Sequence, residues 1–331
     1  MASCYNNIRQ YKYICTESIN KQKRSLARYR HTLHLMTREQ EPQLALTQTI
    51  KARSWRLKWK TRIMILGVCL LILLTLNLQA KHTAAVTISV KQREAAAAAS
   101  AVQATTDFDQ NLASLAVANP GVSFSVATVS QASGLQTYGS SEPYDAASTG
   151  KLLTAVDYLH HVETGQASLH QMIDGQVAQQ LLNVMITKSD DKAWNDLNNY
   201  LSHADLSNYA RSNGLADYDP DTDSLPASDI AILLAKLNSG HLLRDRDRAL
   251  LMQYMGLANY RQFIVAAVPA GETVYHKIGI DDDDVHDSAI ITKNTQSLVL
   301  VIFTDGHGQY DWDKRAQLMR EITSDALAAY L

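Results

Sequence analysis

Apolar residues fall along this chain in three regimes. Ile63 to Leu78 reads Ile-Met-Ile-Leu-Gly-Val-Cys-Leu-Leu-Ile-Leu-Leu-Thr-Leu-Asn-Leu, without a charge. That is slightly short of the ~20 residues of an ideal membrane span, but flanking side chains can snorkel. Helical spacing begins with Phe108, Leu112, Leu115 and Val117 and stops at Asn119-Pro120-Gly121. Alternation follows. Val122 to Val129 and Leu135 to Tyr138 flank a turn at Gln131 to Gly134 and predict a hairpin. The middle of the chain returns to helical spacing over 148–163, 174–187, 191–202, 205–213, 228–238 and 245–255. Strands reappear at 272–280, 285–292 and 298–304, the last two joined by the turn Lys293-Asn294-Thr295-Gln296. Trp312, Ala316, Met319, Ile322 and Ala326 mark a closing amphipathic helix. Two groups of strands around a helical block predict an α+β fold. One antiparallel sheet is built from both ends of the domain and flanked by helices, with a helical lobe beside it.

Charge divides the chain at the apolar block. The net charge of the 331 residues is −2, yet residues 1–62 hold 14 Lys or Arg against 3 Glu, and the remainder is strongly acidic. Arg53, Arg56, Lys58, Lys60 and Arg62 stand immediately before the block, so the positive-inside rule sets the N-terminus in the cytoplasm and the rest outside. A cleaved signal peptide is the alternative, with Leu78-Gln79-Ala80 as its processing site, but a 62-residue lead is too long for one. The organisation is therefore a basic tail at 1–62, a transmembrane anchor at 63–79, and a linker or helix start at 80–106. That last stretch is rich in Ala, Thr, Gln and Ser, and a folded domain follows at 107–331. The tail needs only anionic lipid as partner, and no nucleic-acid-binding module is present. Cys4, Cys15 and Cys69 all precede residue 80, so the external part has no disulfides and depends on its core.

Candidate chemistry begins with serine-x-x-lysine, a spacing that on a helix brings an amine to a hydroxyl. It occurs at Ser18 to Lys21, Ser148 to Lys151 and Ser189 to Lys192, so context must choose. Ser148 stands where strand gives way to helix, with Leu152, Leu153, Val156 and Leu159 following as an apolar stripe. A helix N-terminus there favours developing negative charge. Ser189-Asp190-Asp191 lies in a loop between two helical segments. Val274 to Ile280 is a strand carrying Lys277 in an apolar run, with Gly279 two residues later, where a backbone can approach a ligand closely.

These three clusters, in this order, resemble the serine β-lactamase and penicillin-binding protein superfamily, and within it the class A-like serine hydrolases. Their motifs are serine-x-x-lysine, serine-aspartate-asparagine and lysine-threonine/serine-glycine. Here they read Ser148-Thr149-Gly150-Lys151, Ser189-Asp190-Asp191 and Lys277-Ile278-Gly279. Leu181 to Ile186 is similar to the family's helix into its second motif, and Pro226 to Leu234 to its later core helix. The resemblance covers roughly 107–331 and implies acyl transfer. Ser148 would attack a carbonyl carbon and Lys151 would take its proton, which requires a neutral amine. Ser189 would relay the proton to the leaving nitrogen, and Lys277 would supply positive potential for a substrate carboxylate. Asp191, Gly279 and Ile280 would line the substrate. The N–H groups of Ser148 and Ile280 would form an oxyanion hole, each donor worth about 2.7–4 kcal/mol. No cofactor or metal is implied.

Three departures shape the expectation. Asp191 replaces an amide donor, and Ile278 replaces a hydroxyl that would help bind a carboxylate. The stretch from Asn213 to Ser228 lacks the glutamate-x-x-leucine-asparagine motif that activates the deacylating water in class A enzymes. It carries Asp217, Asp219, Asp221 and Asp223 instead, which read as a solvated loop in which one aspartate could substitute. A calcium loop would need glycine and glutamate where Thr222 and Ser228 stand. Asp281 to Asp284 reads as a turn, and His276, His286 and His307 lack metal-ligand spacing. The expected function is a membrane-anchored hydrolase opening β-lactams through a serine nucleophile. The alternatives are a D,D-peptidase acting on cell-wall D-alanyl peptides, and a catalytically weak surface-binding domain of the same fold.

Overall fold

The structure, a computed structural model, describes residues 44–331. The expected basic tail therefore falls largely outside the described residues, as does the match at Ser18 to Lys21. One helix, α1 (Leu44–Ala118), contains the apolar block and the Ala-rich stretch from 80 to 106. The chain divides into two units between Val90 and Lys91. In the first unit, Lys58–Thr83 is long and apolar enough to cross a membrane, and its apolar side chains, such as Leu66 and Leu71, are exposed.

The second unit holds a five-stranded antiparallel sheet. Its strands are β1 (Ser123–Ser130), β2 (Gly134–Gly139), β7 (Thr273–Asp281), β8 (Asp284–Lys293) and β9 (Gln296–Asp305), in the order β2-β1-β9-β8-β7. The N-terminal hairpin joins the C-terminal meander through β1 and β9, with Val126 opposite Ile302 and Ala127 opposite Val301. The sheet is thus built from both ends of the domain.

Alternation along these strands feeds two cores. Leu298, Leu300 and Ile302 of β9 face the end of α1, through Phe108 and Leu112, and the closing helix α9 (Trp312–Tyr330), through Met319 and Ile322. Val299, Val301 and Phe303 point the other way, into the helical lobe. That lobe comprises α2 (Lys151–Glu163), α3 (Ala178–Thr187), α4 (Asp191–Leu201), α5 (His203–Ser212), α6 (Ala227–Asn238) and α7 (Asp245–Gly256). A short α8 (Ile264–Ala267) precedes β7. Each buried Leu or Ile contributes about 1.5–3 kcal/mol, so a sheet covered on both faces needs no disulfide.

Two short ladders complete the fold. Tyr144–Asp145 (β3) pairs with Ser224–Leu225 (β6), and Met172–Ile173 (β4) pairs with Gln176–Val177 (β5). The β3–β6 ladder lies directly before the turn that carries Ser148, and this decides which loop reaches the cleft.

Candidate active site

Ser148 sits in a 3-10 turn, Ala147–Thr149, one residue before α2 begins. The expected single helix over 148–163 is therefore split. Ala147 has φ 46°, a left-handed conformation uncommon for alanine, and it closes the turn ahead of the helix. The Asp145 carboxylate accepts the Ala147 N–H at 2.8 Å and holds this geometry. Strand β7 passes alongside. A Cβ on Gly279 would meet Ala146 O at 3.1 Å and Thr149 Cγ2 at 3.0 Å. The backbone approach that Gly279 permits is thus to the turn carrying Ser148.

The geometry separates the serine–lysine matches. Lys151 Nζ donates to Ser148 Oγ at 2.5 Å and to Asp191 Oδ1 at 2.7 Å, and stands 4.9 Å above the Trp194 ring. Lys192 turns away from Ser189 to the carboxylates of Asp174, which is exposed, and Asp196, which is largely covered. Ser189 pairs instead with Lys277, whose Nζ donates to Ser189 Oγ at 2.7 Å and to the Ile278 carbonyl at 2.6 Å. Ser189 also has a left-handed backbone, φ 61°. Asp190 is the N-cap of α4, accepting the Ala193 N–H at 2.8 Å. That leaves Asp191, at the first helical position, to reach Lys151. Two Ser–Lys pairs thus face one cleft.

The cleft, of about 460 Å³, is lined by Ser148, Lys151, Ser189, Asp191 and Ile280 from the expected set. Lys277 is fully buried behind Ser189. Burial, and then the neighbouring Lys151, push its amine well below the ordinary lysine range. Ile278, read as a departure from the third motif, also lines the cleft, and sequence reasoning missed several further lining residues: Asp145, Lys188, Trp194, Tyr260, Trp312 and Asp223. Asp223 belongs to the acidic loop read as solvated. Asp217, Asp219 and Asp221 are exposed, but Asp223 turns into the cleft.

Behind this wall lies His286. It stacks on Phe303 with ring centroids 4.2 Å apart, its Nδ1 accepts the Thr304 N–H at 3.1 Å, and its Nε2 donates to Asp145 O at 2.7 Å. These partners define a neutral ring, and burial lowers its value to about 4. The unfolded chain, titrating near 6.5, then binds the extra proton between about pH 6.5 and pH 4. Stability from this group is complete above that window and falls as pH drops through it, by about 3 kcal/mol. Chemical denaturation at pH 7.5 and 4.5 should show this loss in the parent and its absence in His286→Asn. The comparison is needed because Asp157, Asp223, Asp229 and Asp284, all raised chiefly by burial, act with the opposite sign.

A sequence profile of the Beta-lactamase enzyme family matches residues 107–330, the stretch that contains the sheet, the lobe and the cleft. The chain belongs to the β-lactamase enzyme family. Solved β-lactamase-like structures share its fold. PBP-A superposes with a TM-score of 0.63 at 22% identity, over 68% of this chain and 96% of its own. An ancestral class A β-lactamase, reconstructed for the last common ancestor of Gram-negative bacteria, gives a TM-score of 0.62 at 24% identity, over 67% of this chain and all of its own. A mutant of PBP-A has been captured as an acyl-enzyme complex with penicillin G, with a TM-score of 0.62 at 21% identity, over 68% of this chain and 96% of its own. Curated protein sequences yield no match. The β-lactamase-like fold and serine hydrolase superfamily are thereby established for this chain.

Proposed function

We propose that this protein is a membrane-anchored serine acyl-transfer hydrolase that opens β-lactams, with Ser148 as its nucleophile. The reading rests above all on the 2.5 Å contact between Lys151 Nζ and Ser148 Oγ inside a cleft. In acylation, Ser148 Oγ bonds to the carbonyl carbon as its proton passes to Lys151. The carbonyl becomes an oxyanion received by the N–H groups of Ser148 and Ile280. As the C–N bond breaks, Ser189 hands its proton to the leaving nitrogen and takes up the one that Lys151 received from Ser148, so Lys151 ends neutral, while Lys277 holds the Ser189 hydroxyl through its hydrogen bond. The anchor is the apolar stretch Lys58–Thr83, with the N-terminus cytoplasmic and the domain outside. A second reading, a catalytically weak surface-binding domain of the same fold, draws support from Asp191 and Ile278, which offer neither an amide donor for a substrate carbonyl nor a hydroxyl for a substrate carboxylate.

The test is covalent labelling of the full chain in detergent with a fluorescent penicillin. The parent should take up one label per chain and Ser148→Ala should take up none, with intact mass locating the adduct. Label that survives Ser148→Ala moves the nucleophile elsewhere.

A further inference from the structure

The charges lining the cleft do not balance. Its walls present Asp145, Asp191, Asp223 and Asp281 against Lys151 and Lys188. Lys151 is covered and pairs with Asp191, which leaves three carboxylates facing the exposed Lys188. Lys277 adds little, because it is buried behind Ser189 and already donates to Ser189 Oγ and to the Ile278 carbonyl. The three carboxylates come from separate segments. Asp145 belongs to the ladder before Ser148, Asp223 to the loop whose carbonyl accepts the Ala146 N–H, and Asp281 to the end of β7. They repel one another. Burial first, and then the Asp145 carboxylate, raise both Asp223 and Asp281, and Asp191 adds to the effect on Asp281. A second feature is independent of these acids. Tyr260 and Trp312 line the same cleft, are 42% and 39% exposed, and meet edge to face with ring centroids 6.5 Å apart. Ring faces and carboxylates together attract an ammonium group, the first through the ring quadrupole and the second through charge.

We propose that this cleft selects substrates whose acyl part carries an ammonium group, with Asp281, Tyr260 and Trp312 as the residues that set the preference. This rests on the preceding reading of Ser148 and names the substrate class that it takes. The same reading fixes which part of the substrate carries the cation. Ser189 protonates the leaving nitrogen, and Lys188 precedes it in the same loop, so the leaving part meets an amine. Asp145 and Asp223 flank the turn of Ser148, and Asp281 follows Ile280, so the acyl part meets the acids. Two of the three have structural duties as well. The Asp145 carboxylate accepts the Ala147 N–H, and Asp223 is half-buried. Asp281 is exposed, and the charged groups that act on its carboxyl are all acidic. It is the acid that an entering cation satisfies.

The experiment sets benzylpenicillin against its α-amino derivative, which differ only by the ammonium group, as competitors of fluorescent penicillin on full-chain protein in detergent. At low salt the amino compound should acylate about tenfold faster, the combined scale of one exposed ion pair and one cation–π contact. Salt at about 1 M, where the screening length is about 3 Å, should remove most of that advantage. Asp281→Asn and Trp312→Leu should each narrow the ratio about threefold, and Asp281→Lys should reverse it. Comparing ratios between proteins cancels the intrinsic reactivity of the two compounds. Equal rates in the parent would overturn the proposal while leaving Ser148 as nucleophile. So would a ratio unchanged in Asp281→Lys. Calorimetry on Ser148→Ala reads binding apart from chemistry and should show the same preference as a difference in affinity. A parent that takes no label would overturn the nucleophile reading alone, and equal affinities in calorimetry would overturn the ammonium preference with it.

Discussion

Lys151→Met should abolish acylation of Ser148 while leaving the fold intact. Methionine keeps the unbranched length of the lysine stem and its packing over Trp194. The partner left behind, Asp191, has a side chain that is 78% exposed and is simply solvated when the ion pair is lost. Little stability is therefore at stake. The proton acceptor at 2.5 Å from Ser148 Oγ is gone, however, and the rate of labelling should fall by at least about 10²-fold and up to about 10⁴-fold. Lys151→Arg sharpens the reading. Arginine keeps the charge and the pairing with Asp191 but holds its proton at every accessible pH. If Lys151 serves as the base, both variants lose acylation. If it serves only as a local positive charge, Arg restores much of it. Initial rates of penicillin labelling, with thermal midpoints alongside, decide between the two.

That prediction was reachable from sequence because Ser148 and Lys151 are three residues apart, within one turn. Lys277 was legible for a related reason: a lysine inside an apolar β-branched run has few functions other than a buried one. The five long strands were legible because each alternates against a core on two sides. What escaped was set by contacts distant in sequence or by very short elements. Ladders of two residues have no periodicity to read. The expected helix over 174–187 begins at Ala178, because Asp174-Gly175, with φ 44° and 79°, turns the β4–β5 hairpin, a signal present in the sequence and overlooked. The split at Ala147 carries no signal, since alanine is the strongest helix former and the break is imposed by Asp145 and by β7. Asp223 was indistinguishable from Asp217, Asp219 and Asp221 by type or spacing. Only the pairing of β3 with β6, across nearly eighty residues, selects it.

The largest effect on stability should come from Asp287→Ala, at a residue that no catalytic motif includes. Asp287 lies fully buried on β8, opposite Ile278 of β7. One carboxylate oxygen accepts from His276 Nδ1 at 3.0 Å and from the Ser288 N–H at 3.0 Å. The other accepts the Ile264 N–H at 3.1 Å, at the start of α8. His276 in turn reaches Ala258 O at 3.4 Å. One side chain therefore ties β7 to the segment before α8, immediately beside Lys277. Removing it strands three donors where water does not enter, and breaking a buried pair in this way costs about 3–5 kcal/mol. Against a total of about 5–15 kcal/mol for an ordinary domain, that is a large fraction of what holds the fold. Asp287→Asn keeps one accepting oxygen and should cost less than half as much. Asp287 also favours the charged form of Lys277, so a folded Asn variant should lower that amine further and slow leaving-group protonation. Urea denaturation of the parent and both variants measures the first effect, and labelling rates of the Asn protein measure the second. A loss under about 1 kcal/mol in Asp287→Ala would mean that water or a shifted α8 satisfies these donors. The coupling between sheet stability and Lys277 would then fail with it.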